Sequence, residues 1–302
     1  MINIDSLKGE YKLVYHNNFI VAYGKRLIVF NKIGNVIFER RDLKNILKVG
    51  FVSDSEIIVG AGKDYFVISL TDGRDVCVFN LPNRTYSFPR FIISKTSGII
   101  YDLISKNGLR YLVRFDLGEK TVETKCLDNI QGAISDMAFD HHDTLCMLIT
   151  VYENLAGEDI SANSILYEHF YPYYEGKVNT YWKAKWNLPH PQSAAIFLDG
   201  TDLILTNDLT ILDLNTGDQT SLLQEQDKKY GNPYSYLVDD SGKYVNLIYH
   251  NKNVILDKEQ KIVALEFQTV DYLHGCIIDG EYWRITNSGL EKHEIQKTGK
   301  TD

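Results

Sequence analysis

A unit of about 40 to 45 residues recurs along this chain of 302 amino acids, and residues 201–220, TDLILTNDLTILDLNTGDQT, are its clearest copy. Two apolar runs, Leu203 to Leu205 and Leu209 to Leu214, flank an Asn207-Asp208 turn, and the second leads into Asn215-Thr216-Gly217. Leucine-rich and β-branched runs suit a pleated backbone, and glycine supplies the positive φ that a tight hairpin turn often requires. The unit therefore predicts strand, turn, strand, turn.

The glycine of the second turn marks the period. It stands at Gly34, Gly73, Gly118, Gly176, Gly217 and Gly299, with Gln260 in a degenerate copy and one long step between 118 and 176. At about 43 residues per unit the length accommodates seven units. The first complete unit reads as strands over Tyr11 to Tyr15, Phe19 to Tyr23, Arg26 to Phe30 and Val36 to Glu39. The second reads as Ile46 to Val52, Glu56 to Val59, Tyr65 to Leu70 and Asp75 to Phe79. Asn107-Gly108, Asp279-Gly280 and Ser288-Gly289 are hairpin signals of the same kind. Four antiparallel strands per unit follow, except in the last, which spans Tyr272 to Ile295 and shows three. Ile2, Ile4 and Leu7 alternate with polar residues at the N-terminus, so residues 2–7 are expected to add the missing outer strand beside the one ending near Gln296. That pairing closes a ring and removes two open sheet edges.

The repeated meander, with Asp213-Leu214-Asn215-Thr216-Gly217 in its outer hairpin, resembles the β-propeller superfamily in the manner of WD40-like, YVTN-like and quinoprotein-like repeats. The resemblance covers nearly the whole chain. It implies an all-β fold: one domain over residues 1–302, a seven-bladed propeller of four-stranded antiparallel blades closed by the N-terminal strand. A six-bladed ring and two stacked β domains are the alternatives. Gly-His and Trp-Asp pairs, kelch double glycines and a tryptophan after each Thr-Gly are all absent, so the resemblance names a fold and carries no family function.

Composition narrows the partners. Lys and Arg number 32 against 40 Asp and Glu, a formal net charge of −8, which disfavours nucleic acid and anionic membrane surfaces. No run approaches the roughly 18 apolar residues of a membrane span, and the N-terminus lacks a basic segment followed by an apolar core, so a cytoplasmic monomer is expected. Cys77, Cys126, Cys146 and Cys276 lie far apart in apolar runs and are expected to be buried, reduced thiols.

No nucleophile elbow, HExxH, Walker loop or EF-hand loop is present, and no cofactor or metal is expected. Asp140-His141-His142-Asp143 places four potential ligands in a row, but consecutive residues of a hairpin diverge, so a polar turn is expected there. Polar residues assigned to first strands, Arg90, Asp136 and His274, are candidates for a central channel. Residues 153–164, ENLAGEDISANS, replace a short turn and account for most of the long step; Glu153, Glu158 and Asp159 make this insertion acidic. In a four-stranded meander the loop between strands two and three opens on the same side as the connections between units. The insertion therefore shares that side with Tyr86 and His190. The most aromatic stretch follows it, and its Trp182 and Trp186 are candidates for an interaction surface.

The expected function is a non-enzymatic protein-binding scaffold, with a basic partner suggested by the acidic insertion. The alternatives are a propeller hydrolase, lyase or cyclase acting at the channel, and a sensor of carbohydrate or another small ligand.

Overall fold

The computed structural model describes residues 7, 11–81, 86–87, 90–127, 133–140, 142–153, 165–174, 177–178, 182–186, 196–198, 203–205, 209–213, 216, 218–223, 235–239, 242–249, 251–268 and 275–295. By internal contacts the chain forms two compact units, Met1–Leu127 with Tyr272–Gln296, and Asp128–Asp271 with Lys297–Asp302.

The first unit opens with β1 to β4, Tyr11–His16, Phe19–Gly24, Leu27–Asn31 and Val36–Arg40. A second meander follows as β5 to β8, Ile46–Ser53, Glu56–Ala61, Asp64–Ser69 and Asp75–Asn80. The third comprises β9 to β13, Tyr86–Ser87, Ile92–Ile93, Ile99–Lys106, Leu109–Asp116 and Thr121–Cys126. In the second unit, β14 to β18 are Ala133–Phe139, Leu145–Glu153, Ile165–Tyr174, Lys177–Val178 and Trp182–Trp186. Next come β19 to β22, Ile196–Leu198, Leu203–Leu205, Thr210–Asp213 and Gln219–Ser221, and β23 to β26, Ser235–Val238, Tyr244–Ile248, Lys252–Asp257 and Ile262–Gln268. The chain returns to the first unit as β27 to β29, Cys276–Ile278, Glu281–Thr286 and Gly289–Glu294.

These strands pair antiparallel with their neighbours in sequence, giving three four-stranded sheets and two of five strands among the described residues. The extra strand of the third sheet is the short β9, and that of the fourth is β17, which joins β18 in pairing with β16. The remaining sheet has seven strands, because Tyr11 of β1 meets Ile285 of β28 and stitches the last meander to the first. The expectation of uniform four-stranded sheets is corrected at these three places.

Why the strands form is visible in their burial. Inner strands such as β2 (FIVAYG), β6 (EIIVGA) and β28 (EYWRIT) are apolar over consecutive positions and buried on both faces. Outer strands β8 and β13 expose most of their residues. A strand covered on both sides needs no alternation, whereas one at a sheet edge does. The core accordingly lies in slabs between neighbouring sheets. Val21, Val29, Val49 and Val59 share the slab between the first and second sheets. Ile58, Val67, Ile100 and Val113 share the next, and Leu205, Leu209, Val245 and Leu256 share one in the second unit.

The recurring Asp or Asn near the outer turn has a local purpose. Asn31, Asp116, Asp213 and Asp257 each end a third strand and accept backbone N–H bonds from residues of the following turn, at 2.8 to 3.1 Å. Gly34 and Gly73 hold the left-handed position of that turn, at φ 85 and 74, and Lys120 and Lys261 take that conformation in the third and sixth meanders. Leu209, read from sequence as the start of a strand, instead sits in the turn before β21 with φ 62 and 1% exposure. Asn207, Asp208 and Gly217 lie outside the described residues.

Asp140 behaves as a turn residue, accepting from the backbone N–H groups of His142 and Thr144, and Asp143 is left-handed at φ 60. Of the cysteines only Cys146 is buried; Cys77, Cys126 and Cys276 are half-exposed, because each sits in an outer or terminal strand with one uncovered face.

Candidate interaction surface

The most heavily buried charges of the first unit bind its second sheet to its third. Lys48 on β5 reaches the carboxylate of Asp102 on β11, and the Tyr65 hydroxyl on β7 donates to the other carboxylate oxygen at 2.9 Å. The Lys48 ammonium also lies 4.6 Å from the centre of the Phe91 ring. Gly60 pairs with Lys48 on one side and Tyr65 on the other, and a Cβ there would come within 3.4 Å of both the lysine stem and Phe91. Burial pushes the lysine ammonium down and the carboxyl of Asp102 up, and their mutual attraction opposes both shifts. The tyrosine hydroxyl is held protonated by the same burial. Side-chain exposure of 2% for Lys48 and 0% for Asp102 leaves no approach for a substrate, so this cluster is a fastening between sheets.

The exposed chemistry is of another kind. Among the described residues the exposed large hydrophobics are Ile33, Ile37, Leu47, Val76, Val78 and Leu109. Ile33 and Ile37 belong to the outer hairpin of the first sheet, and Val76 and Val78 to β8, the outer strand of the second. Arg40 at the end of β4 ties these outer strands together: its guanidinium donates to the Gly73 carbonyl at 3.0 Å and to Asp75 at 2.7 Å, while holding Asp42 on its other side. Phe38 packs over Gly73, where a Cβ would stand 2.8 Å from the ring.

Among the described residues β8 ends its sheet, with no strand paired to its outer edge. The Leu81 N–H donates to the Lys63 carbonyl, and alternation then turns Phe79 and Cys77 toward β7 and the backbone of Val78 and Asn80 outward. Val76 is the bulged residue between the Cys77 and Asp75 pairs and has no partner on β7. A bulge bends such an edge away from flat strand addition. What the edge offers is side-chain contact through Val76 and Val78, each 43% exposed.

The residues singled out from sequence distribute as follows. Tyr86 is in β9, paired with Ser105, rather than in an open loop. Arg90 is half-buried in the approach to β10 and outside the first strand, which is only Ile92–Ile93. Asp136 is on first strand β14 as expected, at a register shift, and is 3% exposed. Glu153 is not in the insertion: it closes β15, paired with Ile165, because the β15–β16 ladder runs one residue further. Trp182 and Trp186 are in β18, paired with Phe170 and Leu166 on β16. Glu158, Asp159, His190 and His274 lie outside the described residues. Arg90 belongs to the first unit and Asp136 to the second. Lys48, Asp102 and the valines of β8 were missed by the sequence reading. The signal for the first two was a charged residue inside an otherwise apolar strand.

Among known structures, the chain aligns with the beta-propeller domain of Cps50 (Swd1) from Myceliophteria thermophila at a TM-score of 0.63 and 9% identity, over 95% of this chain and 96% of that one. The fold is a β-propeller. BBS1N, solved in complex with ARL6DN, aligns at a TM-score of 0.55 and 10% identity over 97% and 94% of the two chains. BamB from Moraxella catarrhalis does so at 0.54 and 11%, over 96% and 98%. No protein-family model matches the sequence, and no curated protein matches it. The propeller fold is thus shared at identities that carry no common site residues.

Proposed function

We propose that this propeller is a protein-binding scaffold whose partner docks on the apolar outer rim of the first two sheets. The observation that carries the reading is that four exposed apolar residues, Ile33 and Ile37 in the outer hairpin of the first sheet and Val76 and Val78 in the outer strand of the second, lie on two adjoining sheets, at 74%, 36%, 43% and 43% exposure. Exposed apolar side chains that fall together favour an interface, whereas scattered ones need no explanation. The buried ionisable cluster of the first unit is occupied in joining sheets, and propellers hold loops and edges on a rigid frame suited to recognition. BBS1N, which shares the fold, is solved with ARL6DN, in keeping with a scaffold.

In this reading the propeller has seven blades and residues 2–7 supply the last outer strand. Leu7, 2% exposed, packs with Tyr11 and Leu13 of β1 and with Ile278, Trp283 and Ile285 of β27 and β28, which supports closure at that seam. The acidic insertion with Glu158 and Asp159 and the β18 tryptophans remain a second candidate surface, for a basic partner.

The test is capture with the full chain immobilised, comparing wild type with Ile37→Lys/Val78→Lys. Both positions are exposed, so the melting temperature should hold. A protein cross-linked to the wild type near β8 and lost from the double variant supports the assignment; equal recovery by the two overturns it.

A further inference from the structure

The first unit carries a second, chemically different surface, where the β2–β3 and β6–β7 turns and the connection from β4 to β5 come together. Lys25, Lys44 and Lys63 occupy those three segments, and all three are exposed. Their neighbours Tyr23, Leu43 and Ala61 pack in one slab, so the three lysines lie at the same end of the first two sheets. None of the three makes an ion pair among the described residues. Of the nearby carboxylates, Glu39 is engaged by Arg26 and Arg41 and Asp42 by Arg40, while Asp64, next to Lys63 at the start of β7, makes no ion pair among the described residues. In a chain of net charge −8, this is a positive patch against the overall balance.

The same end presents two leucines. The register of β5 against β6 slips between Ile46 and Lys48, leaving Leu47 unpaired and 47% exposed while Lys48 turns into the core. Leu109, 44% exposed, opens β12 at the matching turn of the third sheet. Bare ammonium groups attract carboxylates or phosphates; leucines at their side select a ligand that also carries aliphatic groups. Nucleic acid is the poorer fit, because the exposed hydrophobics here are leucines with no stacking ring.

We propose that this surface binds an acidic peptide segment of a partner protein in which aliphatic side chains alternate with carboxylates. The proposal rests on the scaffold reading and adds a second contact to it. The probe is a fluorescein-labelled peptide of alternating glutamate and leucine, followed by anisotropy with the full-length protein at low and high salt. A lysine–leucine peptide and a labelled oligothymidylate of the same length serve as comparisons. Saturable binding of the glutamate peptide is expected, weakened about ten-fold or more by Lys25→Glu/Lys44→Glu/Lys63→Glu and by raised salt. Leu47→Ser should weaken it several-fold without changing the salt response. If charge reversal perturbs folding, Lys25→Gln/Lys44→Gln/Lys63→Gln replaces it, with a smaller loss in the same direction. Unchanged affinity in the lysine variants, equal binding of the lysine–leucine peptide, or binding of the oligonucleotide alone would overturn the proposal. Loss of this binding mode while Ile37→Lys/Val78→Lys still abolishes partner capture would remove the second contact and leave the scaffold in place.

Discussion

Lys48 and Asp102 are 54 residues apart in sequence and form an ion pair across the boundary between the second and third sheets, with side chains 2% and 0% exposed. Desolvating two charges consumes most of what their attraction returns, so the pair adds little net stability by being present. Removing one partner is another matter, because the survivor is left charged and buried. Lys48→Met alone and Asp102→Leu alone should each lower the unfolding free energy by about 3 to 5 kcal/mol. The double variant should recover much of that loss, since two apolar side chains satisfy each other. Urea unfolding of the three variants checks this; additive losses would mean that the two side chains do not interact.

Leu7 tests the seam between β28 and β1. It is 2% exposed among Tyr11, Leu13 and Ile285, so Leu7→Ala should cost about 2 to 4 kcal/mol. On the proposed closure by residues 2–7, deleting residues 1–8 should lower the melting temperature at least as much, because it would also expose strand edges. An unchanged melting temperature in the deletion would refute closure by the N-terminal segment.

Gly275 precedes β27 where Tyr282 and Trp283 cross. An added Cβ would be driven onto the Trp283 carbonyl and within 2.6 Å of the Tyr282 ring, whose hydroxyl accepts the Gly275 N–H at 3.0 Å. Gly275→Ala should therefore destabilise by about 2 to 3 kcal/mol through overpacking. Gly280→Ala is the control: its Cβ meets nothing within 4 Å, but φ is 83, so a loss of about 1 kcal/mol from backbone strain is expected.

Leu209 sets two effects against each other. Its left-handed backbone, φ 62, carries about 1 to 2 kcal/mol of strain that glycine would relieve. Its side chain, 1% exposed, packs with Leu205, Val245 and Leu256, and losing it should cost about 3 kcal/mol or more. Burial wins, so Leu209→Gly should be destabilising; a gain in melting temperature would show that strain dominates.

Acid should weaken the first two sheets in a defined window. The hydrogen bond from Arg41, with support from Arg26, holds Glu39 below the usual carboxylate range, and Arg40 does the same for Asp42. Unfolded values are about 4.3 and 3.9, so the unfolded chain takes up protons first as pH falls. The stability these pairs contribute is therefore present above about pH 5 and is lost as pH drops through the lower folded values. Melting curves from pH 6 to 3 should show a shallower acid decline in Glu39→Gln/Asp42→Asn than in wild type. The pairs are partly exposed and screened, so a modest difference is expected.

The sequence by itself determined the local architecture. Asn107-Gly108 and Asp279-Gly280 adopt positive φ at both positions, 53 and 77, then 50 and 83, as two-residue hairpin turns require. Asn31, Asp116, Asp213 and Asp257 recur because each caps a turn a few residues away, and an interaction that short leaves its mark at a fixed period. The all-β meander and its strand limits, mostly within a residue or two, were legible for the same reason.

What only the tertiary structure decided is which strand faces which. In Ile46-Leu47-Lys48-Val49 the lysine is buried and Leu47 exposed, an inversion of the hydrophobic expectation, because the register slips there and Asp102 and Phe91 arrive from elsewhere in the chain to receive the ammonium, with Tyr65 donating to the same carboxylate. Glu153 moved from loop to strand because Ile165 pairs with it across the insertion. The exposed valines of β8 read from sequence like any apolar strand; that their sheet ends there is a fact of pairing between strands. Local turn chemistry is written in adjacent residues, whereas burial, charge pairing and open edges depend on partners brought in by the packing of one sheet on another, and a single sequence does not name those partners.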